Sequence, residues 1–304
     1  MNKLEKLNRL PQLNKSNKRS KIIKKNQINP AVCFLFAGFV GLIVFYIWPF
    51  FVSFGYAFMN RPVNGSFVGF KNFIDLFHNK AYLLALKNTV IFISISVPLG
   101  MYLSLMVAML INRVKKQKEL FVLIFLIPLV IPSGSMVFFW KALFMNQGYV
   151  NGILNAMGLD GINWLETSAV RYVIVLIFIW KNLGYNMVLF MAGLHNIPKE
   201  HYEAAAVDGA TGVQTFFYIT LPGMVPMIIL VAIMSIINSF KVFKEIYLIT
   251  GKYPHESIYM LQHFMNNMFY SLNYQKLTTA TSVMVLIITL FVQFLLWFER
   301  RHSE

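Results

Sequence analysis

Six long apolar runs leave this chain few folds to choose from. They cover about residues 31–59, 89–111, 120–144, 170–194, 224–250 and 277–298. A helix crosses the hydrocarbon of a bilayer with roughly 20 apolar residues, and each run is long enough. Backbone polar groups in lipid have to be paired internally, which a helix achieves within one segment. The expected fold class is all-α: a polytopic membrane protein of about six transmembrane helices. Residues 1–29 precede it as a polar, basic tail, and residues 30–304 form the transmembrane domain.

Composition agrees. The chain is 57% hydrophobic and only 13% charged, against about 25% charged in a soluble domain. Its net charge of +15 does not point to nucleic acid, because the basic residues gather in the tail and at the ends of the apolar runs. That placement is the positive-inside pattern. With the tail inside, its nine Lys and Arg join Arg113, Lys115, Lys116, Lys118, Lys199, Arg300 and Arg301. The other side holds Arg61, Lys71, Lys80, Lys87, Arg171, Lys252 and Lys276. Both termini are therefore expected in the cytoplasm, with the tail drawn to anionic headgroups of the bilayer. Cys33 is the single cysteine, so no disulfide framework forms within the chain.

Several runs contain helix breakers. Pro49, Pro98, Pro128 and Pro132 each remove a backbone donor. Ile127–Ser135 is the densest cluster, and reads either as a packing kink or as a break facing a cavity. Phe67–Phe73 mixes aromatics with turn formers and reads as an interfacial segment. Gly148–Trp164, with Asn151, reads as a loop carrying a short interfacial helix.

Charges inside the runs are informative because each costs about 3 kcal/mol at the bilayer centre. Lys141, Lys181, Lys241, Lys244 and Glu245 lie in or near them. Lys181 sits in the polar patch Trp180–Asn186, whose Asn182, Tyr185 and Asn186 offer hydrogen bonds and a ring to a hydroxylated solute. Asn238, Lys241 and the Lys244-Glu245 pair are placed to line the same space. Two readings stand side by side: a translocation pathway, or a structural ion pair.

No catalytic or metal-binding constellation is present. The sequence lacks a G-x-x-x-x-G-K-[ST] phosphate loop, an H-E-x-x-H pair and a nucleophile elbow. The chain is not expected to be an enzyme or to hold a cofactor, a metal or nucleic acid.

The polar segment between the fourth and fifth runs carries the most specific signal. Glu200 complements a helix N-terminus after Pro198. The alanines that follow favour helix and leave a small-residue face. Gly209 supplies a positive φ for a turn. Thr211–Thr220 then forms a second short helix, and Pro222 opens the fifth span. The result is a helix–turn–helix elbow, suited either to bridging two spans or to entering a partner's groove.

Glu203-Ala204-Ala205, Asp208-Gly209-Ala210 and Ile219-Thr220-Leu221-Pro222 closely resemble the EAA motif of bacterial ABC-importer permeases. Trp48-Pro49, Phe67–Phe73, Asn88-Thr89, Ile127-Pro128 with Trp140, and Gly193-Leu194 with Ile197-Pro198 look like the carbohydrate branch of that family. Within the branch they resemble the first permease of maltose- and glycerol-phosphate-type importers. Two stretches depart from the pattern: Thr250-Gly251-Lys252-Tyr253-Pro254, and Tyr274–Ala280.

The resemblance implies the type I importer permease fold in the bacterial plasma membrane, acting by alternating access. It implies a heterodimer with a second permease, an ATPase dimer that uses ATP and magnesium, an extracellular solute-binding protein and a sugar substrate. Glu203, Ala204, Ala205, Asp208, Gly209, Ala210, Leu221 and Pro222 would form the ATPase-coupling loop. A secondary transporter, or an ABC permease for a non-sugar solute such as glycerol phosphate, is the alternative.

Overall fold

A computed structural model describes residues 30–62, 64–114 and 116–302. The basic tail lies outside the described residues. The chain divides into two compact units between Gly55 and Tyr56.

The first unit is one apolar helical segment. Helix α1, Pro30–Leu42, passes through a π turn, Ile43–Ile47, into α2, Trp48–Tyr56. Pro49 has no N–H to give, and the helix widens in the turn before it, where the Trp48 N–H reaches Ile43 O.

The second unit begins with a turn tied by Asn72, whose Nδ2 donates to Ala57 O at 2.8 Å and Met59 O at 2.9 Å. Phe58 packs on Phe67, Phe70 and Phe73, which gathers the aromatics of the Phe67–Phe73 segment around one ring. Helix α3 is Lys71–Phe77, and α4 is Lys80–Arg113. The second span thus starts at Lys80 rather than near Thr89. Asn79 caps it, accepting from Ala81 N and Tyr82 N at 3.0 and 3.1 Å.

The third run departs from a single straight span. Helix α5, Lys118–Val130, and α6, Ser133–Phe144, have 13 and 12 residues, each too short to cross alone. They meet at a bend of 96°. Pro132 forces Ile131 into extended backbone, at φ −66° and ψ 126°. The described residues hold five helices long and apolar enough to span, or six counting this bent pair as one.

Helix α7, Tyr149–Ala156, follows as a short amphipathic turn. Asn151 staples its loop, bonding Asn146 O, Ile162 O, Ile162 N and Trp164 Nε1 at 2.8–3.0 Å. Helix α8, Val170–Asn196, is the core of the bundle. Of its apolar window 56% is buried, against 28% for α4, so it is the element around which the others pack. Phe178 meets Phe92 of α4 edge to face at 5.5 Å.

Small residues let the neighbours approach, as packing in membranes requires. A Cβ on Gly184 would fall on the Phe125 carbonyl of α5, and one on Gly193 would lie 2.8 Å from Met227. Asn186 Nδ2 donates to Ser235 Oγ across the same interface at 3.0 Å.

After α8 come α9, Lys199–Val207, α10, Gly212–Thr215, a π turn, Phe216–Thr220, and α11, Leu221–Gly223. The fifth span is α12, Val225–Lys241, continued after a break at Val242 by α13, Phe243–Thr250. It opens at Val225 with Pro226 in its first turn, so Pro222 belongs to the turn before it. Helix α14 is Leu261–Tyr270, and α15, Tyr274–His302, is the last span.

The closeness of α5 and α8 yields a test. Gly184→Ala should cost about 1–3 kcal/mol through overpacking and lower the melting temperature of the detergent-purified protein. Gly152→Ala, where a Cβ has nothing within 4 Å, should leave it unchanged or slightly raised.

Candidate functional site

The polar residues of the spans converge beside Glu245, the first-turn acid of α13. Glu245 is buried, with its side chain 3% exposed, and Lys181 of α8 is 25% exposed. The two form an ion pair. Ser133 Oγ, at the start of α6, donates to Glu245 Oε1 at 2.8 Å, and Lys181 Nζ donates to Ser133 Oγ at 3.3 Å. A buried charge is tolerated only when so partnered. The break before Ser133 and the polar patch on α8 therefore answer each other.

A pocket of about 140 Å³ opens next to this pair, lined by Lys181, Asn182, Asn238, Lys241 and Glu245 with Leu129, Ile177, Phe178 and Val242. Four of the sequence candidates, Lys181, Asn182, Asn238 and Lys241, are brought together there. Lys241 Nζ donates to Asn238 Oδ1 at 3.0 Å, and Asn182 Nδ2 to Phe178 O at 2.8 Å. Tyr185 and Asn186 are not among the lining residues. Asn186 is instead buried against Ser235. Lys181 is an ion-pair partner of Glu245 and also lines the pocket. Glu245, expected beside Asn238 and Lys241, joins them in the lining, and Ser133 joins the site from outside the candidate set. The signals for them were the Pro132-Ser133 break and a lone intramembrane carboxylate.

At the far end of α8 a loop is held by side chains. Asn88 Nδ2 donates to Glu256 O at 2.6 Å and Tyr259 O at 3.0 Å, and Thr89 Oγ1 accepts from Leu261 N at 3.0 Å. Arg171 Nη2 donates to Ser257 O at 3.1 Å. His263 lies beneath this loop with its ring 4.8 Å from Phe243. Burial pushes its pKa down from 6.5 to about 4.

The opposite end of α8 leads into the elbow. Ile197 and Pro198 alone separate α8 from α9. Gly209 has φ +73°, the left-handed turn its sequence called for. Thr211 caps α10 in a reciprocal box with Gln214. Tyr202 Oη and Thr220 Oγ1 lie 3.1 Å apart and tie the two arms. Glu203, Ala204, Asp208, Gly209 and Pro222 are exposed, while Ala205, Ala210 and Leu221 are half-buried. Val207 is 88% exposed, an apolar tip with no contact to satisfy it.

Known proteins resemble this chain in sequence and fold. Residues 96–304 match the family described as binding-protein-dependent transport system inner membrane component. A probable ABC transporter permease of Bacillus subtilis, YurN, is 31% identical over 231 residues, 74% of this chain and 79% of that protein. The lactose transport system permease protein LacF of Rhizobium radiobacter is 31% identical over 245 residues, 77% and 82% of the two chains. The fold matches a chain of a bacterial ABC transporter that imports the acidic polysaccharide alginate. The TM-score is 0.79 at 23% identity, over 96% of this chain and 100% of that one. An alginate transporter in complex with a pentasaccharide-bound periplasmic protein gives a TM-score of 0.78 at 22% identity, over 95% and 98% of the two chains.

Two outcomes follow from the geometry. Glu245→Ala leaves Lys181 without its counter-charge and should destabilise the protein by about 3 kcal/mol. The double change Lys181→Met/Glu245→Leu should recover most of that loss in thermal melts, giving a coupling above about 1 kcal/mol. For His263, the folded pKa lies below the unfolded one, so its contribution is complete above pH 6.5 and lost as pH falls toward 4. Melting temperature should drop across that window, and His263→Gln should flatten the drop.

Proposed function

The chain belongs to the binding-protein-dependent transport system inner membrane component family, and on that premise we propose how it works. It is the permease subunit of an ATP-driven sugar importer. Its relatives include a lactose permease, and the alginate transporters share its fold. The chain brings the pathway, and a partner ATPase brings ATP, magnesium and the hydrolytic chemistry. A sister permease completes the pathway, and a solute-binding protein delivers sugar from outside.

The elbow from Lys199 to Thr220 carries this reading. It is exposed and small-faced, with its arms tied by Tyr202 and Thr220, which suits docking on the ATPase in the cytoplasm. On this orientation both termini are cytoplasmic, and the loop held by Asn88 and Arg171 faces outward. Glu203, Ala204, Ala205 and Val207 present the docking face. Asp208, Gly209 and Ala210 set the turn. Leu221 and Pro222 anchor the second arm.

Motion has a direct route from there. Tyr202 and Ile197 pack with Met191, Leu194 and Met224 in one apolar cluster. A shift of the elbow therefore moves α8 as a lever. Lys181 lies fifteen residues above the end of α8, about 22 Å at 1.5 Å per residue. Closing the ATPases would draw the elbow inward and re-open the pocket beside Lys181 to the other side of the membrane.

Gly209 is the residue to test. A Cβ at Gly209 meets no neighbour within 4 Å, but a β-branched residue at φ +73° costs about 1–2 kcal/mol in backbone strain. Gly209→Val should insert normally in the membrane, while ATP-driven uptake falls roughly tenfold for ~1.4 kcal/mol of lost coupling. Uptake at the wild-type rate would show that this turn does not transmit the stroke.

A further inference from the structure

We propose that the pathway beside α13 is built for a saccharide bearing an anionic group, which Lys241 and Lys244 neutralise. This rests on the reading of the chain as a sugar-importer permease, and it names the class of sugar.

The argument is a charge count in one pocket. Glu245 is the only carboxylate lining it, and it is already engaged by Lys181 and Ser133. Those two charges cancel. Lys241 remains, and its partner Asn238 is neutral. Lys244 follows beyond the break at Val242, outside the pocket lining, and both lysines are exposed. Among the described residues no carboxylate lies within ion-pair distance of Lys241 or Lys244. The fifth span therefore presents two exposed positive charges with no carboxylate at ion-pair distance among the described residues.

Such an arrangement is costly on its own. A lysine within a span is expensive, and no carboxylate among the described residues offsets either of these. That penalty falls when an anionic oxygen comes within reach of the ammonium. The ammonium is a compact charge with rotating donors, able to meet a carboxylate or phosphate in several orientations. That suits a group in transit better than a rigid fork would. The amides of Asn182 and Asn238 line the same wall and face the hydroxyls of a ring, with Phe178 and Leu129 as the apolar side. At about 140 Å³ the pocket holds the charged substituent and part of one ring, so the rest of the saccharide lies along the interface with the sister permease.

The competing source of negative charge is a carboxylate of that sister permease. It would make Lys241 and Lys244 assembly residues, and the experiment separates the two.

The test uses the full importer, assembled with its sister permease, ATPase and binding protein. In a Cys33→Ser background, Leu129→Cys places a thiol on the pocket wall. Its reaction rates with sulfonatoethyl and trimethylammonioethyl methanethiosulfonate are normalised to those of a free thiol. The anionic reagent should be favoured by roughly tenfold, as a focused positive potential requires. Lys241→Gln/Lys244→Gln should abolish the preference, and Lys241→Arg/Lys244→Arg should keep it. Equal rates, a cation preference or no reaction overturns the proposal.

A second arm feeds energised cells a mixture of neutral, uronate-bearing and phosphorylated oligosaccharides and weighs what accumulates by mass spectrometry. Acidic saccharides should accumulate, and fall roughly tenfold in the Gln pair with assembly intact. Neutral saccharides alone, unchanged in the Gln pair, overturn the proposal and leave the importer standing. Loss of the sister permease from the Gln pair assigns the lysines to assembly and overturns it as well. No ATP-dependent accumulation of any saccharide overturns the importer reading itself.

Discussion

One buried carboxylate joins three separate pieces of the membrane bundle. Glu245 on α13 is paired with Lys181 on the core helix and accepts from Ser133 at the start of the re-bent third span. Without these partners its charge would be untenable in so dry a place. The requirement runs both ways. The bend at Pro132 places the Ser133 hydroxyl beside Glu245, and Lys181 of α8 is admitted there because Glu245 is present to receive it. Breaks in both the third and fifth spans thus meet at the same point, in protein rather than lipid, where interrupted backbone is tolerated.

From that point the core helix runs unbroken to the elbow. Gly184 lets α5 lie directly on it, and Gly193 admits Met224 and Met227. These close approaches make α8 stiff and well gripped, as a lever has to be. The elbow is the opposite in character: exposed, small and braced by only a few polar contacts such as Tyr202 to Thr220. Stiffness at the pathway and an open face at the elbow are what a part driven from outside needs.

Much of this was legible in the residues. The apolar runs placed the spans, and the alanine-rich segment with Gly209 placed the elbow and its positive φ. What was not legible depends on long-range pairing. Lys181 and Glu245 are 64 residues apart, and no local pattern links them, so the pathway and ion-pair readings stayed side by side. The start of the second span at Lys80 was hidden by polar residues such as Lys87 and Asn88, the second of which is buried against the loop it holds. Asn186 looked like a solute ligand because an amide in a span is rare. It is spent on Ser235 across a helix interface, and composition cannot tell those two uses apart.

The elbow's role as the docking face for an ATPase is the claim on which the importer reading turns. Site-specific cross-linking tests it most directly. A cysteine at Val207, placed in the Cys33→Ser chain and treated with a short thiol-to-amine reagent in purified membranes, should join this chain to an ATP-hydrolysing subunit. The adduct should form less readily when the ATPases are emptied of nucleotide. An assembly in which Val207→Cys joins only lipid or the sister permease, with no ATPase at this tip in any nucleotide state, would contradict it.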